Sequence, residues 1–303
     1  MAADWNKIFT SWAQSPGKTE ADRIENSIRG IRKAMSSSPK LSGCTKVFLQ
    51  GSYGNRVNAR ADSNVDVGVL YSGGVFIGEY PTGFSRESFG YGPGSYTQST
   101  FKNDVEQALV DQFGRPAVKR GNKALDVKAN TYRVEADVVP VFEHRSFRTD
   151  GSYICGVNLR TDKNEEIVNW HRRIFDLPSW PDQHYENGLS KNNRTNRRYR
   201  GQARIVKKLR VEMESAGSRE AKDVVGFLVE CLVYNVPDWT LYLDDWHRRT
   251  KAALLYLVDE TSSQHKCDNW TEVSGYKWLF KGNNAKREKA HRFAESALDL
   301  ISR

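Results

Sequence analysis

The hydrophobic pattern of the first half of the chain predicts two helices, each followed by a pair of strands. The helix spans residues 19–36, where apolar side chains recur at helical spacing: Ile24, Ile28, Ile31 and Met35. Runs rich in β-branched residues predict strands at 46–50 and 64–71. After a second helix at 101–114, the segments ALDVKA and YRVEADVVPVF predict two more strands. This order of elements is typical of a mixed strand-and-helix core.

The second half of the chain loses the strand pattern and predicts helices alone. The predicted helices lie at 163–176, 195–216, 220–234, 244–260 and 285–301. Residues 72–99 are rich in glycine and aromatic residues but show little periodicity, so we expect a long surface loop there. The expected fold class is therefore α+β, with a strand-rich part up to residue 160 and a helical half over 161–303.

The composition indicates a globular protein with an anionic partner. Hydrophobic residues make up 38% of the 303 residues, which is enough to form a core. Lys and Arg outnumber Asp and Glu by 46 to 37, which favours nucleic acid, a nucleoside triphosphate or an acidic membrane surface as partner. The chain has neither a long apolar run nor a signal-peptide pattern, so no membrane span is expected. The four cysteines lie far apart, which indicates reduced thiols and a cytoplasmic protein.

Acidic and amide side chains on two predicted strands form a candidate metal site. Asn64 and Asp66 are two residues apart, so they point to the same face of their strand. Asp137 lies among apolar residues in VEADVVPV, where a carboxylate is costly to bury unless it binds a cation or a donor. Three such side chains on neighbouring strands suit paired Mg²⁺ ions. Upstream, Gly51 and Ser52 leave a strand at a tight turn, where amides and a hydroxyl can hold phosphate oxygens.

The segment GSYGNRVNARADSNVDVGVL, followed by RVEADVVPVF, resembles the nucleotidyltransferase superfamily related to DNA polymerase β. That superfamily has Gly-Ser, then Asp-x-Asp or Glu-x-Asp, then a third Asp on a neighbouring strand. The helical segments HYENGLSKNNRTNRRYRGQARIVKKLR and GFLVECLVYNVPD are similar to those of the bacterial CD-NTases, relatives of cyclic GMP–AMP synthase and oligoadenylate synthetase. The resemblance covers nearly the whole chain. It implies a polymerase β-like mixed sheet with flanking helices, packed against a C-terminal helical half.

The family resemblance also implies roles for individual residues. The implied catalytic and metal-binding residues are Asn64, Asp66 and Asp137, with two Mg²⁺ ions, or Mn²⁺ in their place, as cofactor. Gly51 and Ser52 are implied to contact the donor triphosphate, and Lys207, in RIVKKL, to bind its tail. By the same resemblance, residues 1–160 form the catalytic core with its N-terminal helix, and 161–303 form the helical nucleotide-binding half.

The implied reaction is the attack of a ribose hydroxyl on the α-phosphate of an NTP, with release of pyrophosphate. Repeating this step and closing the ring gives a cyclic di- or trinucleotide, a second messenger of anti-phage (CBASS) defence. The implied substrates are ATP, GTP or a pyrimidine NTP. The product would act on a downstream effector, and CBASS accessory proteins are candidate partners. Activation by DNA or RNA is not expected, since the chain lacks the zinc-binding insertion of the animal DNA sensor.

Asn64 departs from the family pattern because an amide brings no negative charge to the metal site. The loss should weaken metal binding by kilocalories, and Asp62, which precedes the strand, is not expected to replace it. Two explanations stay open: a natural variant, or an Asp-to-Asn change made to trap substrate. Two rival functions also stay open. One is a linear nucleotidyltransferase of the RNA-tailing or oligoadenylate type, and the other is a non-catalytic nucleotide or RNA binder.

Overall fold

The computed structural model describes residues 3–58, 64–94, 96–169 and 183–303. Its strands are β1 (Thr45–Leu49), β2 (Asn64–Tyr71), β3 (Phe76–Glu79), β4 (Val118–Arg120), β5 (Leu125–Val127), β6 (Glu135–Phe147), β7 (Tyr153–Arg160) and β8 (Glu166–Asn169). Its α-helices are α1 (Trp5–Trp12), α2 (Lys18–Ser37), α3 (Gly51–Gly54), α4 (Gln98–Phe113), α5 (Gln183–Arg194), α6 (Tyr199–Ser215), α7 (Arg219–Lys222), α8 (Gly226–Asn235), α9 (Trp246–Thr261) and α10 (Asn284–Ser302).

The described residues form two compact units, a sheet unit and a helical unit. The sheet unit comprises 17–54, 64–94 and 96–169, and the helical unit comprises 3–16, 55–58 and 183–303. The boundaries of these units do not coincide with a single division at residue 160, because 3–16 and 55–58 belong with the C-terminal helices. Helix α1 belongs to the helical unit because Phe9 is fully buried in the core of that unit. The ranges 1–160 and 161–303 stay a prediction about functional domains.

A mixed sheet organises the sheet unit. Its strand order is β1-β2-β6-β5-β4, in which β2 runs parallel to β6 and the other neighbours are antiparallel. The long strand β6 continues beyond this sheet, where it pairs with β3 and β7, and β8 follows on β7. Strand β6 therefore pairs with four other strands, and its first residues lie between β2 and β5.

One face of this sheet is covered by α2 and α4. Val65, Val67 and Val69 of β2 are fully buried in a core shared with these helices. The helical face predicted within 19–36 is part of it, with these buried residues: Ile24, Ile28, Ile31 and Met35. Because side chains alternate along a strand, Asn64 and Asp66 point away from that core.

Two segments differ from their predicted structure. Residues 72–99 were expected to form a loop, but they contain β3, which pairs with β6 in parallel. Tyr80 and Phe89 of this segment stack on each other, and both stack on Phe147 at the end of β6. Aromatic contacts of this kind follow no regular spacing in the sequence, so the pattern gave no strand signal. The helix predicted at 163–176 is wrong over its first part, because β8 forms a strand on β7. Its remainder, 170–176, lies outside the described residues.

The apolar core of the helical unit is built from α1 and α6–α10. Tyr199, Leu209, Leu232, Leu254 and Phe293 are among the side chains that it buries. The helix predicted at 220–234 divides into α7 and α8, since Val225 is in an extended conformation at the N-cap of α8. Within the part of the chain that the structure describes, no helix combines the length and the apolar character needed to cross a bilayer.

Candidate active site

The register of β2 and β6 places two carboxylates side by side. Asp66 is the direct partner of Asp137 in this parallel pair, so their side chains share one face of the sheet. The alternate residues, among them Val67 and Val138, are fully buried on the other face. The sheet therefore brings together the two acidic residues that the sequence singled out.

The Asn64 side chain is hydrogen-bonded to the carboxylate of Asp137. Burial raises the pKa of Asp137, and the nearby negative charges of Asp126 and Glu135 add to this effect, while the Asn64 hydrogen bond opposes it. The amide thus acts as a donor to the carboxylate, which a second carboxylate at position 64 could not do. All three predicted metal-binding residues lie at the same end of β2 and β6.

Asp126 is a further acidic residue that the sequence analysis missed. Strand β5 runs antiparallel to β6, and Asp126 is the direct partner of Asp137. Its neighbours Leu125 and Val127 are buried, so the available signal was a carboxylate between two apolar strand residues, as at Asp137. Among the described residues, no three His, Cys, Asp or Glu side chains are gathered closely enough to hold a metal. The predicted metal-binding residues thus offer two carboxylates and an amide, and Asp126 adds a carboxylate beside Asp137.

The Gly51–Ser52 turn lies directly against Asp66. Gly51 has a φ of +64°, and a Cβ atom at this position would lie 2.0 Å from Oδ2 of Asp66. The amide of Gln50 donates to the carbonyl of Asp66 at 2.9 Å, and the hydroxyl of Tyr53 donates to Glu20 at 2.9 Å. Only glycine satisfies both the left-handed conformation and the close approach. Ser52 is consequently held on the short helix α3, immediately after the residue that touches Asp66.

Lys207 lies in the helical unit, on α6, in a buried ion pair. Its Nζ donates to Oε2 of Glu230 at 2.7 Å, and Oε1 of Glu230 lies 2.6 Å from Nε2 of His184. All three side chains are buried. Burial acts to raise the pKa of Glu230, but the charges of Lys207 and His184 outweigh it and lower the pKa to about 2. Sequence reasoning missed Glu230, although a carboxylate within the apolar run GFLVECLV is itself a signal.

Comparison with known proteins decides the family. Residues 186–302 match the cGAS/DncV-like nucleotidyltransferase C-terminal helical domain. The chain is 41% identical over 284 residues to the cyclic dipyrimidine nucleotide synthase CdnE of Cecembia lonarensis, covering 93% of this chain and 92% of the relative. It belongs to the bacterial CD-NTase family. The cyclic dipyrimidine nucleotide synthase CdnE of Legionella pneumophila is 37% identical over 287 residues, with 92% of each chain covered.

Solved structures of CD-NTases agree with this assignment. The Elizabethkingia meningoseptica CdnE cyclic dinucleotide synthase, determined with GTP and Apcpp, has a TM-score of 0.79 at 28% identity and covers 98% of this chain and 99% of that one. The predicted fold class is confirmed: a polymerase β-like mixed sheet with flanking helices and a helical C-terminal half. The chain is a nucleotidyltransferase of the cyclic oligonucleotide synthase type, as predicted. The roles of individual residues stay predictions.

Proposed function

We propose that this CD-NTase joins two pyrimidine nucleoside triphosphates into a cyclic dinucleotide and releases two pyrophosphates. The Cecembia and Legionella relatives, at 41% and 37% identity, are both named cyclic dipyrimidine nucleotide synthases. The cyclic dipurine nucleotide synthase of Elizabethkingia is only 29% identical. The product would act on a downstream effector in cytoplasmic anti-phage (CBASS) defence, as the family resemblance implies.

The pairing of Asp66 with Asp137 is the observation that carries the proposal. Together with the Asn64 amide, these carboxylates provide the oxygen donors that Mg²⁺ or Mn²⁺ takes in proteins. The charge of Asp126, which helps to raise the pKa of Asp137, favours a dication at this face. Divalent cations bound there would acidify the acceptor hydroxyl and stabilise charge on the α-phosphate. Asn64, Asp66 and Asp137 would hold those cations, and Asp137 would help to deprotonate the acceptor hydroxyl.

The turn at Gly51 and Ser52 is proposed to hold the triphosphate of the donor nucleotide. Its contact with Asp66 supports this role, because a phosphate at Ser52 would be adjacent to the residue that binds the cations. Lys207 is proposed to contact the triphosphate tail. An ammonium group has three N–H donors, and the bond to Glu230 uses one of them, which leaves donors for phosphate oxygens.

Asn64 is proposed to weaken the reaction by removing one negative charge from the cation site. An interaction between a unit charge and a dication a few ångströms away changes by kilocalories when the charge is lost. We therefore expect Asn64→Asp to raise metal-dependent turnover at least about tenfold, since each 1.4 kcal/mol of transition-state stabilisation is one decade of rate. Labelled UTP and CTP with Mg²⁺, followed by phosphatase treatment and separation, would reveal the cyclic product.

The same variant has a readout that does not require turnover. In EDTA, Asn64→Asp should lower the melting temperature, because a second carboxylate replaces the amide that donates to Asp137. Adding Mg²⁺ should restore the melting temperature. Asn164→Asp, an exposed substitution in the turn between β7 and β8, is the control for added charge. Equal turnover of the parent and of Asn64→Asp at saturating Mg²⁺ would contradict the proposal that Asn64 weakens the reaction. A linear product would support the RNA-tailing type, and no turnover of any NTP mixture would support a non-catalytic binder.

A further inference from the structure

Two arginines of the helical unit lie over one tyrosine ring, and a third arginine is hydrogen-bonded to the backbone of one of them. The guanidinium group of Arg200 lies 5.2 Å from the centroid of the Tyr185 ring, and that of Arg56 lies 5.9 Å from the same centroid. Arg204, one turn along α6 from Arg200, donates to the carbonyl of Arg56 at 2.7 Å and to that of Ala13 at 2.8 Å. The side chain of one arginine therefore fixes the backbone of another, and the tyrosine ring positions two of the three cations.

The charge of this cluster is not balanced by an acid within the described residues. None of the ion pairs found there includes Arg56, Arg200 or Arg204. Burial, together with the positive charge of Arg200, lowers the pKa of Arg204 to about 10. Like charges held this close destabilise one another, and such an arrangement is characteristic of a binding site for an anion.

Arg200 also lacks acceptors for part of its guanidinium group. Its Nε and Nη2 atoms are buried and make no hydrogen bond in the part of the chain that the structure describes. Buried donors without acceptors are unfavourable, because they have lost their hydrogen bonds to water and gained none in the protein. The ring of Tyr185 thus holds the guanidinium group of Arg200 where two of its nitrogen atoms have no acceptor among the described residues. A bound oxyanion would lower this cost by pairing the charge of the whole group.

The contrast with Lys207 shows which part of α6 carries charge that no acid of the described residues pairs. Lys207 lies seven residues after Arg200 and therefore on the same face of the helix, yet Glu230 neutralises it. The uncompensated charge is at the first turns of α6. Arg56, the third member of the cluster, follows Ser52 by only four residues in the chain.

We infer that Arg56 and Arg200, positioned by Tyr185 and Arg204, form a binding site for the oligophosphate group of a nucleotide. The inference rests on the proposed function for the identity of the nucleotide, but not for the anion site itself. Guanidinium groups bind phosphate oxygens through planar, paired N–H donors, and a compact cluster of cations matches a compact polyanion such as a triphosphate.

The test measures binding in the absence of chemistry. Inorganic tripolyphosphate is titrated calorimetrically, without metal, into the unaltered protein and into Arg56→Gln, Arg200→Gln and the double variant. Each single change should weaken binding about tenfold, or about 1.4 kcal/mol, because it removes one charge-assisted contact to the phosphate oxygens. Arg292→Gln, an exposed arginine of α10, removes the same charge and should leave the affinity unchanged.

Folding is controlled in the same proteins. Removing one of three repelling cations should not lower the melting temperature of the ligand-free protein, so a loss of tripolyphosphate binding without loss of stability supports the site. An unchanged affinity in the double variant would overturn it. Displacement of tripolyphosphate by a nucleic-acid duplex would also overturn it, if the affinity for the duplex falls steeply with salt and this dependence is lost in the double variant. The cluster would then bind a polymeric ligand. The tripolyphosphate result stands whether or not Asn64→Asp restores turnover, so the two proposals can fail separately.

Discussion

Replacing Glu230 by Gln removes the charge of the buried carboxylate while keeping its shape. Lys207 then loses its ion-pair partner, and His184 loses the charge beside its Nε2 atom. Breaking a buried pair by removing one partner is strongly destabilising because the other charge stays buried without compensation. The effect should appear in the helical unit, which contains all three side chains.

The pKa of Glu230 gives the size of the effect. It is about 2 in the folded protein against an ordinary value of 4.5. A difference of roughly 2.5 in pKa corresponds to about 3.4 kcal/mol of stability at pH 7. Because the folded-state pKa is the lower one, this stability is fully present above pH 4.5 and is lost as the pH falls towards 2. By pH 3 only about 1.4 kcal/mol should remain.

Urea unfolding followed by tryptophan fluorescence measures this difference. The described tryptophans all belong to the helical unit: Trp5, Trp12, Trp239, Trp246, Trp270 and Trp278. Glu230→Gln should be about 3 kcal/mol less stable than the parent at pH 7, and the two curves should approach each other below pH 4. Glu272→Gln is the matched control, because burial raises the pKa of Glu272 and the substitution should not destabilise at pH 7. A loss in Glu230→Gln that does not change with pH would refute the ion-pair explanation.

Two further predictions concern the sheet unit. Gly51→Ala should reduce turnover at least tenfold, because the added Cβ atom would displace Asp66. Gly43→Ala is the control: Gly43 has a φ of +76° and open space around it, so this variant carries similar backbone strain but should keep its activity. Steady-state rates of the two variants decide this, and equal losses would show that strain alone is responsible. Asp137→Asn should abolish turnover but should melt no lower than the parent in EDTA at pH 8, since the raised pKa of Asp137 means that its charge destabilises the metal-free fold. That advantage should shrink as the pH falls and Asp137 takes up a proton, and a large drop in melting temperature at pH 8 would assign Asp137 a structural role.

Elements with a clear hydrophobic period were predictable from the sequence. The helix predicted at 19–36 forms Lys18–Ser37, and the strand predicted at 64–71 is observed with the same bounds. In both cases one apolar face packs on a single core, so the period survives in the sequence. Strand β8 was missed because its four residues owe their conformation to pairing with β7. Pairing of this kind overrides local preference and leaves no period of its own.

The candidate site shows the same division between local and tertiary information. Asn64, Asp66 and Asp137 could be singled out because a polar residue interrupts an apolar strand. Their proximity depends on the register of β2 with β6, which a sequence without homologues does not contain. Asp126 was overlooked because its strand has only three residues. Glu230 was overlooked because its partner Lys207 is on another helix, so the ion pair has no sequence spacing to reveal it.

Asn64 connects the stability of the site to its activity. As an amide it donates to Asp137, the residue whose charge Asp126 and Glu135 already oppose, and so it stabilises this end of β2 and β6 without any cation. A carboxylate at position 64 would remove that donor and add a further negative charge, and only bound cations could then offset the repulsion. The substitution that favours turnover is thus expected to make the folded site depend on metal. Active sites commonly show this opposition between stability and function, because charges needed for the reaction repel one another when the ligand is absent.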